Sequence, residues 1–325
     1  MRAPASLALL AVLIFSVTTC CCFAQEPPPT FGRAAFSPDG KTIAFSHGVE
    51  QSCFIYLASL LNGKAHRLTA AKSGCETDPA FSPDGKFLVY SSANAWKAKS
   101  NLYTVPVSGG TPLLIYSGEL DAMHALWAGD DLILFAGAQM FGDFDGITRP
   151  APHHFDVYSI PASGGAATAL TASKFYDMAG IALAKDGRKL AFPTMSDDGE
   201  RFQIYDLRDM KVPKMLLSPD IPKSPDKTFV TEPAFAPDGN SLYFTAAQHG
   251  TDGKYSYSVF RFSLISTEVN QIEDATGVND NVCISPDGKT IFYLNWQGRS
   301  TTNELRRLDM KTKKSTTFDI KFPPS

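Results

Sequence analysis

The sequence predicts an all-β fold, a six-bladed β-propeller of four-stranded antiparallel blades. Three observations carry that expectation. First, a phrase recurs: Phe36-Ser37-Pro38-Asp39-Gly40-Lys41, Phe81-Ser82-Pro83-Asp84-Gly85-Lys86, Phe235-Ala236-Pro237-Asp238-Gly239-Asn240 and Ile284-Ser285-Pro286-Asp287-Gly288-Lys289. Two worn copies read Leu183-Ala184-Lys185-Asp186-Gly187-Arg188 and Trp127-Ala128-Gly129-Asp130-Asp131-Leu132. Second, the aspartates of these six copies are 45 to 56 residues apart. Periods of that size in a strand-rich chain mark propeller blades. Third, the runs around each copy are short, β-branched and aromatic, and come in the same order each time.

Within one unit, an apolar strand ends in Pro-Asp-Gly. Pro presets φ for the turn, Asp bonds back to the local backbone, and Gly accepts positive φ. A second strand follows at once, as in Thr42-Ile43-Ala44-Phe45 and Phe87-Leu88-Val89-Tyr90. A polar loop leads to a third strand, such as Asn101-Leu102-Tyr103-Thr104-Val105 or Asp156-Val157-Tyr158-Ser159-Ile160. A Gly-rich turn, as in Gly109-Gly110 and Gly164-Gly165, leads to a fourth strand, such as Pro112-Leu113-Leu114-Ile115 or Ala167-Thr168-Ala169-Leu170-Thr171, with Ala65-His66-Arg67-Leu68-Thr69 as the first unit's copy. One such sheet cannot bury both faces, and stacking blades around an axis does so. The widest interval, Asp130 to Asp186, is taken up by one long loop over Ala138 to Phe155.

Residues 1–24 read as a signal peptide. Arg2 is basic, Leu7 to Val17 is apolar but too short to span a bilayer, and Cys22-Phe23-Ala24 offers a cleavage site before Gln25. Acylation at Cys20 fits poorly with Thr19 before it. Residues 25–325 form the propeller, an exported, soluble monomer that is periplasmic or secreted. The formal net charge of −3 provides no basic field for nucleic acid. Three cysteines follow the leader, Cys53, Cys75 and Cys283. An oxidising compartment permits one disulfide. Cys53 begins a third strand and Cys75 lies in the link to the next blade, so both fall at the same end and are expected to pair. Cys283 reads as a small buried hydrophobe.

The Ser-Pro-Asp-Gly-Lys unit, its Leu/Ile-Tyr strand, Gly-Gly turn and Leu-Thr ending resemble the WD40-like (PD40) repeats of TolB-type propellers over residues 31 to 320. The resemblance implies a six-bladed propeller in the periplasm or outside the cell, without the α/β domain that precedes the propeller in TolB. Similar repeats build the non-catalytic propellers of prolyl oligopeptidase-type enzymes and the longer propeller lyases of oligogalacturonides.

In such blades the first strand is innermost. The residue six before each motif Asp then forms a column at one mouth of the channel: Arg33, Asp78, His124, Gly180, Glu232 and Asn281. The column either caps strand starts and holds channel water or binds a ligand. His47, His153, His154 and His249 are placed in loops on the same side, with Asp78 and Glu232 as further metal-ligand types, although no spaced ligand pair accompanies them. Asp143-Phe144-Asp145-Gly146 resembles half a calcium loop but lacks the downstream Glu. Trp96, Trp296, Phe141, Phe144, Phe175 and Tyr176 supply aromatics to that rim or to the core. No Gly-x-Ser-x-Gly elbow, phosphate-binding glycine loop or Cys-x-x-Cys is present, and no cofactor is expected. The function expected is non-catalytic binding or scaffolding in the cell envelope, with a protein or glycan partner at the mouth. The alternative is a carbohydrate-active lyase or hydrolase, metal-assisted or not, using the same ring.

Overall fold

The computed structural model describes residues 29–49, 52–94, 98–141, 151–196, 199–211, 213–217, 230–249, 255–273, 277–296 and 302–324. The expected leader (1–24), Trp96 and the Asp143–Gly146 segment lie outside them. Every regular element among the described residues is a strand. Each set of four contains consecutive antiparallel partners. The first two sets are β1 (Thr30–Phe36), β2 (Thr42–Val49), β3 (Ser52–Ser59), β4 (Ala65–Arg67), and β5 (Gly74–Phe81), β6 (Phe87–Ala93), β7 (Asn101–Pro106), β8 (Leu113–Tyr116). The middle sets are β9 (Asp121–Trp127), β10 (Leu132–Phe141), β11 (Ala151–Pro161), β12 (Thr168–Ala169), and β13 (Ala182–Leu183), β14 (Lys189–Ser196), β15 (Gly199–Asp206), β16 (Lys214–Leu217). The last are β17 (Val230–Phe235), β18 (Ser241–His249), β19 (Tyr255–Ser263), β20 (Val269–Glu273), and β21 (Val278–Ile284), β22 (Thr290–Trp296), β23 (Asn303–Asp309), β24 (Lys314–Thr317). Short parallel pairings, β3 with β5 and β19 with β21, join the first two and the last two sets into eight-stranded sheets.

The repeat phrase closes each β1–β2 type hairpin by local hydrogen bonding. Ser37 Oγ donates to Asp39 Oδ1 at 2.6 Å, the Lys41 amide donates to the same oxygen at 3.1 Å, and the Thr42 amide donates to Ser37 Oγ at 3.0 Å. The same three bonds recur around Asp84 and Asp287. Gly85 has φ of 72°, where a Cβ is strained. The turn also touches its neighbour: a Cβ on Gly85 would lie 3.5 Å from Pro38 of the preceding unit, and one on Gly40 would lie 3.7 Å from Pro286 of the last unit.

The other repeat signatures have physical jobs too. The Leu-Thr ending satisfies the third strand: the Ile55 amide donates to Thr69 Oγ1, which donates to Glu76, and the Val157 amide donates to Thr171 Oγ1, which donates to Asp156. The aromatic closing the second strand stacks on the third: Phe45 on Tyr56, Tyr90 on Tyr103, Phe135 on Tyr158, Phe192 on Tyr205 and Phe244 on Phe260, with centroids 5.5–5.9 Å apart. Burial of these rings and the flanking aliphatics supplies the main driving force. First and last units meet. Asn303 of β23 accepts from the Phe31 amide at 2.8 Å and donates to its carbonyl at 2.7 Å, while Lys321 pairs with Gly63 and Ala65.

Three expectations need correction. His47, His153 and His154 lie inside β2 and β11, and His249 ends β18, because the second and third strands stay paired well past the motif. The presumed loop after Ala138 is likewise partly strand, with β10 reaching Phe141 and β11 starting at Ala151. Cys75 stands within inner strand β5, directly opposite Cys53 of β3 in the parallel pairing.

Candidate functional site: a polar ring built on bulges

The inner strands β1, β5, β9, β17 and β21 share one irregularity. In each, two residues oppose one on the partner strand: Gly32-Arg33 against Ser46, Asp78-Pro79 against Tyr90, His124-Ala125 against Phe135, Glu232-Pro233 against Phe244, and Asn281-Val282 against Tyr293. These are β-bulges, which bend a strand and re-aim a side chain. Asp78 (φ 54°), His124 (53°), Glu232 (34°) and Asn281 (58°) adopt left-handed backbone there. Non-glycine residues pay strain for that conformation, and such strain gathers at functional positions. The bulges therefore fall on the column six residues before the motif Asp. In the fourth unit β13 is only two residues long, and Gly180 precedes it at φ 104°. Its freed carbonyls are used by the ring: Arg33 Nη2 donates to Ile181 O at 3.3 Å, and the Glu232 amide donates to Ala179 O at 2.8 Å.

Three ring members touch directly. His124 Nδ1 lies 3.2 Å from Asp78 Oδ2 and 3.4 Å from Arg33 Nη1. A proton on Nδ1 is donated to Asp78, whereas a bare Nδ1 accepts from Arg33. The His124 amide adds a bond to Asp78 Oδ2 at 3.3 Å. Both side chains are recessed, 16 % and 12 % exposed. Burial alone would raise the Asp78 carboxyl, but the His124 charge and hydrogen bonds, with Arg33, outweigh it and hold the group at about 2. Glu232 is the opposite case. Burial dominates, Asp78 and Asp280 add repulsion, Arg33 and His124 offset only part, and the carboxyl is pushed up to about 7.

Asn281 stands next to Asp280, which the column did not include. Burial raises the Asp280 carboxyl, against hydrogen bonds from the Asn281 side chain and from Trp296 Nε1 at 3.1 Å. Cys283, two residues on, is a free thiol that burial pushes up to about 12. Cys53 and Cys75 are disulfide-bonded, with Cα atoms 4.4 Å apart, and lie away from the ring between β3 and β5. His47 lies against Phe31 and Phe322 with Nδ1 3.1 Å from Thr30 O, and His153 lies against Tyr176. Among the described residues, no group of three or more His, Cys, Asp or Glu is placed to hold a metal ion.

Three residues past the ring, the inner strands end around a second, apolar space. Phe36, Phe81, Trp127, Leu183, Phe235 and Ile284 line a cavity of 620 Å³ at the Pro-Asp-Gly face. One equivalent position from each repeat lines it. A repeated four-stranded sheet set around an axis defines a β-propeller.

No family model and no curated relative matches the chain. Solved structures do. A TolB-type structure from Agrobacterium tumefaciens superposes with TM-score 0.61 at 16 % identity, covering 81 % of this chain and 86 % of that one. TolB from Acinetobacter baumannii gives 0.63 at 16 % identity over 88 % of this chain, which spans 62 % of that longer protein. An oligogalacturonate lyase in complex with manganese gives 0.56 at 14 % identity over 89 % of this chain and 77 % of that one. The fold is thus that of a TolB-like β-propeller.

Proposed function

We propose that this chain is an exported, six-bladed binding propeller of the cell envelope. In this reading residues 1–24 are the leader and residues 25–325 the monomeric, non-catalytic scaffold. Its ligand, a protein or glycan, docks at the mouth formed by Arg33, Asp78, His124, Glu232 and Asn281. One observation carries the reading: five inner strands each break their ladder at the same position, and three of the residues there, Arg33, Asp78 and His124, meet as a recessed polar cluster to which Glu232 is electrostatically coupled. Left-handed Asp, His, Glu and Asn carry strain that glycine at the same bulges would avoid, which supports a role for their side chains. The TolB neighbours agree with a binding role, and no helix among the described residues is long and apolar enough to cross a membrane.

A second reading has its own support. Glu232 at about 7, beside the Asp78–His124 pair, has the poise of a general acid or base. A carbohydrate-active enzyme, lyase or hydrolase, would use it on an acidic or neutral oligosaccharide. The test is capture from envelope extract on the immobilised chain, repeated after protease or polysaccharide-lyase treatment of the extract. A ligand that is retained unchanged favours binding, and its class follows from which treatment abolishes capture. Turnover of oligosaccharide that is lost in Glu232→Gln would overturn the non-catalytic reading. So would capture of nothing from either extract.

A further inference from the structure

The ring is not evenly provided with donors and acceptors. On the side of the first three units, polar groups answer one another: Arg33 serves His124 and Ile181 O, and His124 serves Asp78. On the side of the last two units, three buried oxygens have no hydrogen-bond partner: Glu232 Oε2, Asp280 Oδ1 and Asn281 Oδ1. With the two carboxyls ionised, all three are acceptors. The nearby donors are already committed, Trp296 Nε1 to Asp280 Oδ2 and the Asn281 side-chain amide to Asp280. Gly180 brings no side chain at the fourth position. At Asp280 burial is opposed only by the side-chain hydrogen bonds of Asn281 and Trp296. Buried polar atoms left unpaired are costly, and their cost is relieved by a ligand that supplies what is missing.

Resting on the binding reading above, we infer that the fifth-and-sixth-unit side of the ring takes an alkylammonium group, its N–H bonds directed to Glu232, Asp280 and Asn281. An ammonium carries three donors, no acceptor and one positive charge, which complements three orphaned acceptors on two carboxyls and an amide. A water offers only two donors and leaves the carboxylate charge uncompensated. A hard metal ion would require a close shell of several oxygens, and no such cluster of acidic or imidazole groups is assembled among the described residues. Burial raises both carboxyls, and at Glu232 the nearby Arg33 and His124 charges offset only part of it, which leaves room for a further cation. Two sources share the chemistry: a lysine side chain on a polypeptide partner and a free polyamine.

The experiment is calorimetric titration of the purified full chain, at a pH about one unit above the Glu232 value so that the carboxylate is present. The probes are n-butylammonium and butyltrimethylammonium, which has the charge without the N–H donors. Saturable one-to-one binding of n-butylammonium is expected, about tenfold or more weaker for the quaternary ion. Glu232→Gln and Asp280→Asn should each weaken it about tenfold or more, with cooperative unfolding retained in both. No saturable heat, equal binding of the quaternary ion, or indifference to both substitutions overturns the inference. A blocked lysine peptide binding more tightly than spermidine assigns the source to a polypeptide, and the reverse order assigns it to a polyamine. If amines fail while a captured envelope partner still depends on Asp78 and Glu232, the inference falls and the binding reading stands. If the partner ignores the ring, the binding reading falls whatever the amines do.

Discussion

Raising the pH from about 5 to about 8 should weaken the folded state through Glu232, and replacing that residue by Gln should remove the effect. The ordinary value of a Glu carboxyl is 4.5 and that of Glu232 in the fold is about 7. Below the lower value both folded and unfolded chains hold the proton. Between the two, the folded chain keeps a proton that the unfolded chain has released. Stability therefore falls with rising pH across that window and levels off above about 7. At about 1.4 kcal/mol for each tenfold in proton affinity, the full loss is about 3 kcal/mol as an upper bound. Urea denaturation of wild type and Glu232→Gln over this pH range measures it, as midpoints at unchanged m-value. Asp280 is also raised and titrates in both proteins, so the difference between the two curves reports Glu232. The gap should widen in favour of the Gln variant as the pH rises. Parallel curves would refute the claim that a buried, unpaired carboxyl sits in the ring.

Further outcomes follow from the same structure. Gly85→Val should cost roughly 1–3 kcal/mol, read as a lower denaturation midpoint; the cause is positive φ, since Pro38 stands at ordinary contact distance. Gly85→Asn should cost less, because Asn tolerates left-handed backbone. For the Cys53–Cys75 bridge, 22 residues apart, reduction or Cys75→Ser should cost about 3 kcal/mol. Thiol counting on denatured, unreduced protein starting at residue 25 should find one free thiol, Cys283, and three would sink the pairing. Asn303→Ala should destabilise by roughly 1–3 kcal/mol, because it strands the Phe31 amide and carbonyl where the first and last units meet.

What the sequence makes legible is local. Ser-Pro-Asp-Gly-Lys is a self-contained turn, with its Ser and Asp bonding within six residues, so its three copies, and the Ala236-Pro237-Asp238-Gly239 variant, announce hairpins without any tertiary information. The ring column was reachable because it needs only a fixed offset from that turn. The bulges were not read, because Asp78, His124, Glu232 and Asn281 replace the glycine usual at left-handed positions. Pro79 and Pro233 were the available signal, since proline cannot donate to a ladder and sits at bulges or edges. Strand lengths were underestimated because Ser46, His47 and Gly48 look like loop. Their backbones nonetheless stay paired with Ile55, Phe54 and Cys53. Asp280 was invisible for a different reason: its relation to Glu232 joins two units and exists only once the inner strands surround one axis.

We propose that a ligand binds at the bulge-built ring and not in the apolar space lined by Phe36, Phe81 and Trp127. The direct measurement is the affinity of the captured envelope ligand for two altered proteins. One is Asp78→Asn combined with Glu232→Gln at the ring; the other is Lys185→Ala beside the Pro-Asp-Gly cavity. A loss of about tenfold or more is expected for the ring pair, equivalent to about 1.4 kcal/mol, with little change for Lys185→Ala. Undiminished affinity of the ring pair, with the loss appearing at Lys185, would contradict it.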